Sequence, residues 1–244
     1  MRVKQILVMM IAAVAGLCAS TPAYPWQQEK PNVTVTPKPE PPKTAPKEES
    51  AKIIEKAIRK SLKKPAGELT KADLEKVTRL DLYDIQLTDL KGLETLTRLT
   101  ELGLGSNQLT DLKGLEKLTN LETLYLEDNQ LISVKGLEKH TKLTRLDLVN
   151  NQLTSVKGVE KLTKLKKLSL YKNKLTEVPE GLENLTQLTF LNLSANRLTE
   201  LPSLEKLNRL KTLRLWNNPA LSKAQIDKLQ KALPKCDIGH NTKK

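Results

Sequence analysis

The sequence predicts an α/β solenoid, in which short coils stack on one another between two helical caps. Three observations lead to this prediction. One sequence unit repeats seven times over residues 77–220 at nearly constant spacing. Each unit combines alternating leucines, typical of a strand, with later leucines spaced about three residues apart, typical of a tight return. Only 38% of the 244 residues are hydrophobic, which suits coils that bury leucines against the next coil better than one compact core.

Residues 1–23 have the pattern of a secretory signal peptide. Arg2 and Lys4 give a positive start, and an apolar run follows over residues 6–17. The run is short for a membrane span. Cys18 leaves a lipoprotein open as an alternative, and membrane attachment is expected only if Cys18 is lipidated. We therefore expect an exported protein, which is secreted, periplasmic or on the cell surface.

A linker rich in proline and lysine is predicted over residues 24–50. Seven of the 13 prolines fall here, mixed with Lys, Thr and Glu. This composition favours extended chain and cannot bury a core. The segment is either a solvated tether or a contact for an anionic wall polymer.

Helical caps are predicted on both sides of the repeats. Over residues 51–76, apolar side chains share one helix face and charged side chains the other, which predicts an N-terminal cap. Over residues 221–244, Ser222 and Gln225 form a capping box that begins a C-terminal cap helix, and a tail follows.

The repeating units are regular in spacing and in content. Their first residues are Val77, Leu99, Leu121, Leu143, Leu165, Leu188 and Leu210. Six units place an asparagine three residues after the strand: Asn107, Asn129, Asn151, Asn173, Asn196 and Asn218. A buried amide there can donate to and accept from backbone groups that the strand leaves without partners. We therefore expect a structural asparagine ladder.

These units resemble the leucine-rich repeat family, most closely the 22-residue type of bacterial internalin-like proteins. The resemblance covers residues 77 to about 220 and rests on seven copies of the pattern. It implies a curved solenoid with a parallel β-sheet on its concave face. The resemblance also suggests binding to a host.

Five aromatic side chains fall at positions predicted to face solvent on the concave side. The third, fifth and seventh residues of each unit flank the strand leucines. All five aromatics of the repeats occupy these positions: Tyr83, Tyr125, Tyr171, Phe190 and Trp216. Exposed aromatics on a rigid sheet commonly anchor a protein partner, although strands also tolerate aromatics for structural reasons.

Charge on the same face is expected to be uneven. Over the second to eighth residues of each unit, the first four units carry seven acidic and two basic side chains, whereas the last three carry five basic and no acidic ones. A partner of complementary polarity would be steered into one orientation; the alternative is solubilising charge without a role. Besides the aromatics, the predicted partner-binding residues are Glu127, Arg145, Asp147, Lys167 and Arg214.

Other classes of function have less support. The sequence contains no phosphate-binding glycine loop, metal-ligand cluster or nucleophile–base pair. The two histidines, His140 and His240, fall at a repeat leucine position and in the tail. We therefore expect no enzyme activity, cofactor or metal, and no nucleic-acid binding. The net charge of +13 supports one alternative, a cell-envelope protein held electrostatically on acidic glycan or lipid.

Overall fold

The computed structural model describes residues 47–242. The predicted signal peptide, and the predicted linker as far as residue 46, lie outside the described residues. Helix α1 spans Lys47–Leu62, so it begins earlier than the predicted cap, whose start is residue 51. The last proline of the predicted linker, Pro46, directly precedes this start.

A second short helix leads into the repeats. Helix α2 spans Lys71–Leu74, and Thr70 and Asp73 form its capping box. Ile54 and Ile58 of α1 are buried in the same apolar core as the leucines of the first coil. The N-terminal helices therefore cover the end of the array.

Eight short parallel strands form one sheet in which each strand pairs with the next along the chain. They are β1 (Arg79–Asp81), β2 (Glu101–Gly103), β3 (Thr123–Tyr125), β4 (Arg145–Asp147), β5 (Lys167–Ser169), β6 (Phe190–Asn192), β7 (Thr212–Arg214) and β8 (Asp237–Gly239). Strands β1 to β7 belong to the seven units, which we call coils 1 to 7. The predicted α/β solenoid is confirmed, and β8 extends its sheet beyond the last unit.

Each coil returns to the next strand through successive tight turns on the convex side. In coil 2, the backbone N–H groups of Leu115, Leu118 and Leu121 donate to the carbonyl oxygens three residues earlier, at 3.2, 2.8 and 3.1 Å. Residues three apart lie on one side of such a backbone. The leucines therefore all point inward and are fully buried, while the residues between them face solvent.

The C-terminal cap closes the other end. Helix α3 spans Lys223–Ala232, with Ser222 and Gln225 as its capping box, and it buries Ile226 and Leu229. No helix within residues 47–242 is long and apolar enough to cross a membrane.

Candidate partner-binding surface

The six asparagines hold the strands at fixed spacing. All are buried, with at most 8% of the residue exposed. Asn129 is representative: its Nδ2 donates to the carbonyl oxygens of Leu104 (2.9 Å) and Leu126 (3.2 Å), and its Oδ1 accepts from the backbone N–H of Leu109 (3.0 Å). Each amide therefore joins two coils, which makes the sheet a rigid base for the side chains on it.

The concave face is formed by the third, fifth and seventh residues of the coils. The register aligns equivalent positions on neighbouring strands, so that Arg145 lies beside Lys167, and Lys167 beside Phe190. Strands in a sheet are about 4.8 Å apart. Side chains at the same position of successive coils are therefore near neighbours, although a whole coil separates them in sequence.

Four predicted residues meet at the centre of the concave face. The guanidinium carbon of Arg145 lies 4.9 Å from the centre of the Tyr125 ring, which is a cation–π contact. Lys167 and Phe190 continue this row toward coil 6. Burial raises the pKa of the Tyr125 hydroxyl, while burial and the Arg145 charge lower the pKa of Lys167. This cluster is therefore partly shielded from water.

Two carboxylates lie beside the central cluster. Asp147 is only 7% exposed and accepts a hydrogen bond from the backbone N–H of Val149 at 3.2 Å. Glu127 Oε2 is buried and has no hydrogen-bond donor among the described residues. Burial, together with the negative charge of Asp147, raises the pKa of Glu127 to about 7. A donor or cation supplied by a partner would favour the ionised form of Glu127.

An exposed aromatic lies near each end of the concave face, over a glycine of the next strand or coil. A Cβ atom at Gly105 would overlap the Tyr83 ring, and one at Gly239 would lie 2.6 Å from Trp216 Nε1. Trp216 also stacks on His240, with ring centres 6.5 Å apart and planes at 22°. Gly105, Gly239 and His240 were not among the predicted site residues. The repeat spacing places Gly105 at the position of Tyr83 in the next coil, whereas Gly239 and His240 follow the last unit, where the pattern gives no register.

The predicted site residues do not all come together. Tyr83 and Trp216 are separated by six strand intervals, about 29 Å at the usual spacing, and Tyr171 lies between them in coil 5. These three side chains, Tyr83, Trp216 and Tyr171, are 46%, 40% and 37% exposed. The concave face therefore offers a central charged cluster and separate aromatic side chains along its length.

The predicted charge at the C-terminal end needs a correction. Over the second to eighth residues of coils 5 to 7, the sequence predicts five basic and no acidic side chains. Strand β8 adds Asp237 to this face, and its Oδ2 lies 2.8 Å from Nη1 of Arg214 in an ion pair. The basic end is therefore weaker than expected, because the short last strand supplies an acid next to Arg214.

Two family profiles match the described coils. "Leucine Rich repeats (2 copies)" matches residues 75–117, 97–139 and 186–231, and "Leucine rich repeat" matches residues 141–198. The chain belongs to the leucine-rich repeat family. The predicted resemblance is thus confirmed, and its internalin-like character is supported by solved structures.

Two internalins share the fold of this leucine-rich repeat protein. Internalin C2 of Listeria monocytogenes is 28% identical, with a TM-score of 0.72, over 79% of this chain and 85% of the internalin. Internalin F of the same species is 21% identical, with a TM-score of 0.51, over 82% of this chain and 79% of the internalin, and it supports the fold alone. The sequence has no significant match among curated proteins.

Family membership indicates a general role. Leucine-rich repeat proteins of this kind are typically protein-interaction modules rather than enzymes. Among residues 47–242, no group of three His, Cys, Asp or Glu side chains is arranged to hold a metal ion.

Proposed function

We propose that this leucine-rich repeat protein binds a protein partner on its concave face. The observation that carries the proposal is the placement of the aromatics. All five aromatic side chains of the seven coils lie at concave positions, and three of them are among the few exposed large hydrophobic side chains of residues 47–242. Large, rigid aromatics that are exposed in the free protein provide the buried anchors of protein interfaces.

The central cluster supports the same proposal. Arg145 is held against Tyr125, so less side-chain freedom is lost when a partner binds. Glu127 presents a carboxylate that the protein itself leaves without a full set of donors. A partner that offers an amide, Lys or Arg at this point would gain a charge-assisted hydrogen bond.

Substitution of two concave aromatics tests the proposal. Partners captured by the wild-type protein from exported proteins of the source cells are identified, purified and measured by titration calorimetry. Tyr125→Ala combined with Tyr171→Ala should weaken such a partner at least about 10-fold, as expected for anchor residues. The matched control is Ile132→Ala, because Ile132 is 64% exposed but lies outside the concave positions.

The circular dichroism spectrum and melting temperature of each variant show whether the fold is intact. An unchanged affinity for the folded double variant would move the binding site off the concave face. A loss of affinity in the Ile132→Ala control but not in the double variant would have the same meaning.

We also propose that the protein acts outside the cytoplasm. The signal-like pattern of residues 1–23 supports export, and the similarity to internalins is consistent with it. Fractionation of the source cells and mass spectrometry of the mature N-terminus test this proposal. A start near residues 20–24 in the soluble exported fraction is expected. Lipid on Cys18 in the membrane fraction would indicate a tethered protein, and an intact Met1 in the cytoplasm would contradict export.

A further inference from the structure

Coils 3 and 4 carry a compact group of exposed lysines on the convex side, opposite the sheet. We call this group the lysine grid; its members are Lys135, Lys139, Lys142, Lys157, Lys161 and Lys164. In coil 3, the backbone N–H groups of Leu137, His140 and Leu143 donate to the carbonyl oxygens three residues earlier, at 3.1, 2.9 and 3.0 Å. One lysine therefore lies on each of three successive turns, and the next coil repeats the arrangement.

The spacing of the grid follows from the backbone. Three residues of a 3₁₀-like return advance about 6 Å, and neighbouring coils are about 5 Å apart at the sheet. Six ammonium groups on flexible stems thus share a patch in which each has neighbours within about 6 Å at its base. Such a density of like charge is unfavourable in the free protein and favours the binding of an anion.

The two acidic side chains within coils 3 and 4 of the grid, Glu138 and Glu160, are turned toward their own backbone. Glu138 and Glu160 each accept, through Oε2, a hydrogen bond from the N–H of the glycine two residues earlier, at 2.9 and 2.6 Å. Within residues 47–242, none of the six lysines takes part in an ion pair. Lys142 Nζ donates to Asn120 Oδ1 at 2.6 Å, which is a neutral partner. The positive charge of the grid is therefore poorly compensated by direct contacts.

The excess of positive charge on the convex side is confined to coils 3 and 4. In the stretch from the thirteenth residue of each coil to its end, coils 3 and 4 each have three lysines and one glutamate. Coils 1 and 2 balance two basic side chains with two acidic ones, because Asp89 and Asp111 stand where coils 3 and 4 have Ser133 and Ser155. In the same stretch, residues 177–187, coil 5 has three glutamates and no lysine or arginine. The lysine grid is therefore limited in extent on both sides, as expected for a binding surface and not for a uniformly basic exterior.

The chemistry around the grid narrows the class of ligand. Between residues 133–142 and 155–164, the hydrophobic side chains and His140 are all buried. The patch thus lacks the exposed aromatics on which nucleic-acid bases stack. Ile132, 64% exposed, is a single apolar side chain at its edge, whereas insertion into a lipid surface needs a whole apolar face. Lysine ammonium groups bind phosphate as point charges without fixed geometry. We propose that the lysine grid binds a flexible linear polymer of phosphate groups.

This binding is independent of the proposed concave site, since it uses the opposite side of the solenoid. The probe is fluorescently labelled long-chain inorganic polyphosphate, and its binding to the full mature chain is measured by fluorescence anisotropy between about 0.05 and about 0.3 M salt. The test variant removes four grid charges: Lys135→Gln, Lys139→Gln, Lys142→Gln and Lys157→Gln. The matched control removes four exposed charges from the convex side of coils 1 and 6, neither of which adjoins the grid: Lys91→Gln, Arg98→Gln, Lys206→Gln and Arg209→Gln.

The two variants have the same net charge, so they separate the grid from the overall charge of the protein. The test variant should bind polyphosphate at least about 10-fold more weakly at about 0.1 M salt, and its salt slope should decrease by about 3. The control should stay within about 2-fold of wild type. Equal losses in both variants would overturn the proposal, because general charge would then explain the binding.

Two further probes test the assignment to a phosphate polymer. Vesicles containing phosphatidylglycerol and a single-stranded oligothymidine are titrated against the same proteins. Weaker binding of both probes than of polyphosphate is the expected result. If either binds as tightly as polyphosphate and loses affinity in the test variant alone, the grid is a membrane or nucleic-acid surface and the proposal is wrong.

Discussion

Replacement of His140 by leucine should stabilise the protein, and should do so more strongly at low pH. Equivalent positions in the neighbouring coils are Leu118 and Leu162. His140 is fully buried, and its Nε2 lies 3.0 Å from the carbonyl oxygen of Leu115. A neutral ring with its proton on Nε2 makes this bond, and Nδ1 then has no partner among the described residues.

The stability that His140→Leu gains at neutral pH is the difference between two free-energy contributions. The unpartnered Nδ1 of His140 costs about 1–3 kcal/mol, and the Nε2 hydrogen bond returns about 1 kcal/mol. The carbonyl of Leu115 keeps its bond from the backbone N–H of Leu118 at 2.8 Å, so it is not left without a partner in the variant. We therefore expect His140→Leu to raise the free energy of unfolding by about 1 kcal/mol at pH 7.5, equivalent to about 2–4 °C in melting temperature.

The pH dependence has a definite sign. Burial lowers the pKa of His140 below its ordinary value of 6.5. Below that pH the unfolded chain takes up a proton that the folded protein does not, so stability falls by up to about 1.4 kcal/mol per pH unit until the folded pKa is reached. Between pH 6.5 and 5.0 the wild type can lose up to about 2 kcal/mol from this source. The stability difference between His140→Leu and wild type should therefore grow below pH 6.5, up to a limit of about 3 kcal/mol at pH 5.0.

Urea unfolding at pH 7.5 and 5.0 measures this effect. Circular dichroism and tryptophan fluorescence should give coincident transitions, as required for a two-state analysis. Both proteins contain His240 and the same carboxylates, so their difference isolates His140. If wild type and His140→Leu lose the same stability between the two pH values, burial does not suppress protonation of His140 and the reasoning is refuted.

Four further substitutions test the solenoid and its concave face. Asn151→Leu should lower the free energy of unfolding by about 3 kcal/mol in urea titrations, because backbone groups in adjacent coils lose their amide partner; a loss below about 1 kcal/mol would show that the ladder is not structural. Glu127→Gln should raise the free energy of unfolding by about 1 kcal/mol at pH 8 and by much less at pH 5. The pKa of Glu127 is about 7 in the folded protein against the ordinary 4.5, so folding disfavours the ionised carboxylate increasingly as the pH rises above 4.5. Equal effects at both pH values would contradict this. Gly136→Ala should cost only the strain of φ +104°, about 1–2 kcal/mol. Gly114→Ala should cost more in the same thermal melts, because its Cβ would lie 2.9 Å from Leu90 O, and equal costs would refute the close approach of the coils.

Much of the fold could be predicted because the same leucine pattern occurs in seven consecutive units. A leucine at one position of one coil is weak evidence, but the same position in seven coils defines the inward face. The expected asparagine positions follow from the same repetition. The structure repeats the same bonds to the preceding coil from Asn107 to Asn218. Asn107 in addition accepts from the backbone N–H of Ile85.

The candidate site was harder to predict because it depends on contacts between coils. The ion pair between Arg214 and Asp237 joins a repeat to the strand after the last unit, where the pattern no longer gives the register. The raised pKa of Glu127 depends on its burial and on the charge of Asp147, which belongs to the next coil. These properties depend on side-chain orientation and solvent access, which the repeat pattern leaves open.

The two surfaces of the solenoid can vary independently because the leucine core fixes the backbone between them. In coil 5, Tyr171 is exposed on the concave side, while three glutamates lie in the convex stretch of the same coil. In coils 3 and 4, serines replace the aspartates of the first two coils without any change in the buried leucine pattern of the strands. Since contacts in a repeat array are mainly between neighbouring coils, such exchanges alter one patch at a time. A protein partner on the sheet and an anionic polymer on the convex side are therefore structurally compatible, and substitutions at either surface should leave binding at the other unchanged.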